Sequence, residues 1–227
     1  MPKSDDIRMA IAHEVAHAVF RQVPELIDEL KSLVKMQLDA ENISRQDQVL
    51  YNMAMNWTEE ICADLFGTAL GGENFARSAR WIMASSDTTL GITDETHPPS
   101  IMRPVIHLLA LGKIEQGIGS QVFEHARKEL QSQIEQVDSS LLARQFKSIP
   151  ALMFVKMETV SEVLTNLVRR ILEAELEVLG GKKFGDLLAD INHAVVTSSP
   201  AGDPERWGEI PATERDQFVL DFPPVAL

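Results

Sequence analysis

Apolar positions recur at intervals of three and four along most of this chain, the spacing of one face of an α-helix. Between 44 and 71, Val49, Leu50, Met53, Trp57, Ile61 and Leu65 keep that period. Ser44 is placed to cap this stretch and Gly71-Gly72 to end it. The same reading predicts a helix over 6–23, after the capping run Ser4-Asp5-Asp6. Another covers 24–40, where Pro24 is tolerated in the first turn. A shorter helix follows over 73–85. Asp87, Gly91, Asp94, His97 and Pro98-Pro99 are poor helix-interior residues and make 86–100 a loop. Helix resumes over 101–113, 118–136 and 139–147. A long stretch over 150–179 is closed by Gly180-Gly181, and a last helix runs over 183–195. No segment alternates strongly enough to predict a strand.

From Thr197 the pattern stops. Ser198-Ser199-Pro200-Ala201-Gly202-Asp203-Pro204, then Pro211, Pro223 and Pro224, read as an extended or disordered arm. The expected fold is all-α or predominantly α. Its organisation is a core over 1–114, a helical extension over 115–196 packed on it, and the arm over 197–227. Within the long helix, Met153, Phe154, Met157, Val160, Val163, Leu164, Leu167, Val168, Ile171 and Leu172 form a broad apolar stripe. Such a stripe is ordinary core, with a homodimer interface through 150–179 as the alternative.

Composition narrows the function classes. Hydrophobic residues make up 44% of the 227, enough for a substantial core. The net charge of −13 argues against a nucleic-acid partner, which needs clustered Lys and Arg. Cys62 is the single cysteine, so no disulfide forms within the chain and a reducing, cytoplasmic location is expected. No apolar run approaches the ~20 residues that span a bilayer. Residues 1–12 lack the apolar stretch of a secretory leader.

The chemistry concentrates in His13-Glu14-Val15-Ala16-His17, an HExxH motif inside a predicted helix. Residues four apart share a helix face, so both imidazoles can reach one Zn²⁺ ion. Glu14 lies about 100° around the helix from His13, within reach of a water on that metal. A carboxylate there can act as general base. Chance occurrence, or a pair of structural histidines, is the competing reading.

A catalytic zinc site needs a third protein ligand and an open position. Glu60 and Asp64 are also i and i+4, on a face shared with Met53, Trp57 and Gly67. Two carboxylates on an inward face are costly unless a cation offsets them. Glu60 as ligand, with Asp64 as hydrogen-bond partner of a ligand histidine, satisfies both. Gly67 would let the two helices approach closely. Glu59 reads as solvated, with a solvated face for Glu60 the bland alternative. Cys62 reads as a small buried residue. His107, His125 and His193 lack ligand spacing and read as packed or surface histidines, His107 with a place near the pocket as its alternative.

Taken in order, HEVAH, EICAD and Thr96-His97-Pro98-Pro99 followed by Arg103 resemble the gluzincin metallopeptidases related to HtpX and the CAAX prenyl proteases. The resemblance covers about ninety residues. It implies a zincin-like helical catalytic core, while the segment after about 115 has no clear match and reads as an additional helical bundle that shapes the cleft or binds a partner. It implies one Zn²⁺ held by His13, His17 and Glu60, with Asp64 behind them. It also implies that His97 and Arg103 sit near the site, positioning substrate or stabilising an oxyanion. A helix-capping His97 and an Arg103 ion-paired to Asp64 or Glu60 are the structural alternatives. Two features depart from the family: relatives carry transmembrane helices, and zincins place a β-sheet before the HExxH helix, whose edge aligns substrate. Twelve residues precede His13, so the chain is either part of a longer protein or holds substrate differently.

The leading expectation is a zinc metallopeptidase acting on protein or peptide substrates, with a zinc-bound water activated by Glu14. The alternative is a zinc-binding, peptidase-like module that binds partners without proteolysis. A further reading has the C-terminal arm covering the cleft.

Overall fold

The computed structural model describes residues 4–40, 45–84, 97–98, 103–118, 123–135 and 157–198. Within them the chain is predominantly helical. The helices are α1 (Ser4–Gln22), α2 (Pro24–Ala40), α3 (Arg45–Ala84), α4 (Arg103–Ile118), α5 (Glu124–Glu135), α6 (Met157–Glu173) and α7 (Phe184–Ser198). The expected helix over 139–147 and the arm beyond Ser198 lie outside the described residues. The chain divides into two compact units, Met1–Asn192 and His193–Leu227.

Val23 alone separates α1 from α2. Its amide closes the last turn of α1 on the Val19 carbonyl at 2.8 Å, and its own carbonyl accepts from Leu26 at 3.1 Å. Pro24, which has no N–H to satisfy, then opens α2. The long helix α3 bends at Gly72, where φ is 55° and ψ is −140°. A left-handed φ of this kind is open to glycine at no steric cost, so the expected break at Gly71-Gly72 takes the form of a kink. The kink brings Phe75 back over Gly67. A Cβ on Gly67 would lie 2.3 Å from that ring, so this glycine makes room for its own helix's aromatic side chain.

The packing seam that matters for function lies between α1 and α3. Ala16 and Phe20 of α1 are buried against it, and the Phe20 ring meets Phe66 of α3 edge-on at 5.8 Å. Trp57, Ile61 and Leu65 of α3 are fully buried. Around this seam α4 and α6 close the core. Leu164, Leu167, Val168, Ile171 and Leu172 of α6 are all buried, so this part of its apolar stripe faces the chain's own interior.

The helix expected over 101–113 runs on to Ile118, and a larger departure follows α6. The helix stops at Glu173 instead of 179, and Glu175–Leu176 pairs antiparallel with Lys182–Lys183. A single 3-10 turn, Glu177–Leu179, lies between them, with Gly180 and Gly181 at positive φ of 66° and 81°. Glu29 of α2 accepts the amides of Glu177 and Val178, which anchors this short hairpin to the helical core. No helix among the described residues is long and apolar enough to cross a membrane.

Candidate metal centre

The HExxH helix and the ExxxD helix run antiparallel, because His13 meets Asp64 while His17 meets Glu59 and Glu60. Opposed in this way, the i,i+4 pair of one helix faces the i,i+4 pair of the other. His13 Nε2 and His17 Nε2 lie 3.2 Å apart. Glu60 straddles them, with Oε2 3.3 Å from His13 Nε2 and Oε1 3.3 Å from His17 Nε2. Among the described residues, these three form the group of side chains close enough to share a metal ion.

The spacing fits zinc. Ligand atoms about 2.0 Å from a tetrahedral ion stand about 3.3 Å from one another. Each imidazole also has its far nitrogen engaged. His13 Nδ1–H donates to Asp64 Oδ1 at 3.1 Å, and His17 Nδ1–H donates to Glu59 Oε1 at 3.3 Å. With both rings neutral, the Nε2 lone pairs would point at each other and at a carboxylate. Three electron-rich groups at this distance repel unless a cation sits among them.

In the metal-free protein that cation is a proton. Burial pushes the His13 imidazole down, but hydrogen bonds with Asp64 and Glu60 outweigh it and raise its pKa to about 9. Burial opposes ionisation of Glu60, yet the His13 hydrogen bond and the nearby His97 hold its carboxyl below the ordinary range. Asp64 is likewise held low, against its burial, chiefly by the Arg103 guanidinium and then by His13.

A proton raised in this way has to leave when a metal binds, which gives a measurable linkage. Zinc binding at pH 7.5 is expected to expel the His13 proton. Calorimetry in buffers of different ionisation enthalpy measures it directly. The metal competes for the deprotonated ring, so affinity rises with pH and this contribution levels off above about 9. The metal-free fold has the opposite dependence. The proton stabilises it fully below 6.5, and that stability is lost as pH climbs through 9.

No protein-family model, curated protein or solved structure matches this chain.

Arg103, at the start of α4, lies with Nε 3.0 Å from Asp64 Oδ2 and Nη2 3.3 Å from Glu60 Oε2. It ties the Glu60 carboxylate to the Asp64 carboxylate that accepts from His13. His97 is half-exposed, with Nε2 3.5 Å from Glu60 Oε1, at the edge of the cluster and outside the three-ligand group. Glu14 is exposed on α1 next to His13. Cys62 is buried, and its thiol is pushed well up by that burial.

Two residues near the site exceed what the sequence suggested. Glu59, expected to be merely solvated, accepts from His17 and is approached by Lys31 Nζ of α2 at 3.3 Å. His107, one turn beyond Arg103, is fully enclosed and forms a second polar layer. Thr68 donates its hydroxyl to the Asp64 carbonyl at 2.7 Å and accepts from His107 Nδ1–H at 3.0 Å. Burial lowers the His107 pKa to about 4, so this ring is neutral at physiological pH. His125 and His193 are both exposed.

Proposed function

We propose that this chain is a zinc-dependent metallopeptidase that cleaves internal peptide bonds, of the gluzincin kind related to HtpX and the CAAX prenyl proteases. The supporting observation is the triangle of His13 Nε2, His17 Nε2 and the Glu60 carboxylate, with edges of 3.2 to 3.3 Å. Three protein ligands at a tetrahedral spacing leave one position for a reactant. A zinc ion held there supplies a Lewis acid that polarises a carbonyl and acidifies water.

The chain's own residues divide the remaining work. Glu14 takes the proton of the attacking water and delivers it to the leaving amine. Its exposure keeps it accessible to solvent and substrate. His97, on the rim beside Glu60, donates to the oxyanion that develops on the carbonyl. Arg103 is a positioning residue, because it pairs with the carboxylates of Glu60 and Asp64. The buried lone cysteine suits a reducing, cytoplasmic setting.

The test is hydrolysis of a panel of unfolded proteins and peptides. Cleavage is expected to stop on chelation and to return with stoichiometric zinc. A second reading, a zinc-binding module that recruits partners without proteolysis, draws on the strands among the described residues. Glu175–Leu176 and Lys182–Lys183 lie in the α6–α7 connection and do not precede the HExxH helix. Zinc binding without chelator-sensitive cleavage of any substrate would favour that reading.

A further inference from the structure

The two ligand histidines are held by carboxylates of very different kinds. Asp64, the partner of His13, has a side chain only 1% exposed and is braced by Arg103. Glu59, the partner of His17, is 38% exposed and is braced by Lys31, itself 36% exposed. Both carboxylates flank the ligand Glu60 on α3, but the braces come from different helices. Arg103 belongs to α4 and Lys31 to α2.

We propose that Glu59 is a positioning residue for the metal centre, and that the Lys31–Glu59–His17 chain sets how tightly the site holds zinc. The inference rests on the metal-centre reading above and assigns its adjustable arm. A ligand imidazole needs its second nitrogen fixed, or the ring turns about χ2 and its lone pair leaves the metal. For His13 a buried aspartate braced by Arg103 supplies this. For His17 the partner is Glu59, on a longer side chain open to water. Lys31 limits the conformations of that side chain by pairing with its other oxygen, Oε2, at 3.3 Å. The His17 arm is thus the looser of the two.

Zinc affinity, measured by competition with a chromophoric chelator, tests the idea on the full chain. Glu59→Ala is expected to bind zinc about 10–100-fold more weakly than wild type, the usual effect of removing such a partner. Glu59→Gln keeps an oxygen that accepts from His17 Nδ1–H, so it should remain close to wild type. Lys31→Ala should fall between them. Cobalt(II) substitution supplies a second readout. The visible ligand-field bands should shift in Glu59→Ala and be restored in Glu59→Gln.

Glu59→Ala with wild-type affinity and spectrum would overturn the proposal, leaving the metal-centre reading intact. Equal losses in the Ala and Gln variants would overturn it too, by pointing to charge and not to the hydrogen bond. A wild-type chain that takes up no zinc would remove both the inference and the function it rests on.

Discussion

Replacing Glu60 with alanine is expected to abolish stoichiometric zinc binding. Glu60 is the hub of the cluster. One oxygen faces His17 and His97, and the other faces His13 and Arg103. Its removal leaves two imidazoles to hold the ion alone, with Arg103 beside them and the balancing anion gone. The loss of affinity should exceed the ~10–100-fold typical of removing an outer hydrogen-bond partner. Glu60→Gln separates two contributions. It retains an oxygen for the metal but not the charge, and should bind more tightly than the alanine variant and less tightly than wild type. Metal analysis after dialysis, with chelator competition for the weaker variants, reads both effects. Wild-type zinc content in Glu60→Ala would mean that another residue completes the ligand set.

The second large effect is expected from Glu14→Gln. This substitution is nearly isosteric and falls on an exposed residue outside the ligand triangle. Zinc content and thermal stability should therefore stay close to wild type. Turnover should drop by about 10²–10⁴-fold, the usual worth of a positioned general base. Because the loss is in proton transfer, kcat should fall with little change in KM. Retained turnover would exclude Glu14 as the base. Loss of zinc together with turnover would place Glu14 in the metal's support and not in the chemistry.

The helical plan and the clustering of His13, His17 and Glu60 were legible for the same reason. A helix brings i and i+4 onto one face, so HExxH and ExxxD each fix two directions without knowledge of the rest of the fold. His13 and His17, with Glu60 and Asp64, are brought together along one antiparallel seam. Arg103 could be placed near them from the resemblance, but only the packing of α4 against α3 fixes its pairing to both carboxylates.

What was not legible depends on a third helix or on a break in period. Glu59 and Glu60 are adjacent and differ by about 100° in direction. That Glu59 reaches His17 depends on the crossing of α1, and that it is braced depends on Lys31, 28 residues away on α2. The early end of α6 was hidden in another way. Leu172, Leu176 and Leu179 keep the spacing of a helix face while the backbone turns into the hairpin. Apolar periodicity records which side chains point inward, and at this site a strand and a 3-10 turn point the same leucines that way.

The proposed function requires one zinc ion among His13, His17 and Glu60. Anomalous diffraction on zinc-loaded crystals, above and below the zinc absorption edge, tests it most directly. The account predicts a single strong peak about 2.0 Å from His13 Nε2, His17 Nε2 and a Glu60 oxygen, with no fourth protein ligand. A peak elsewhere, no peak at full zinc loading, or a fourth side chain closing the coordination sphere would contradict it.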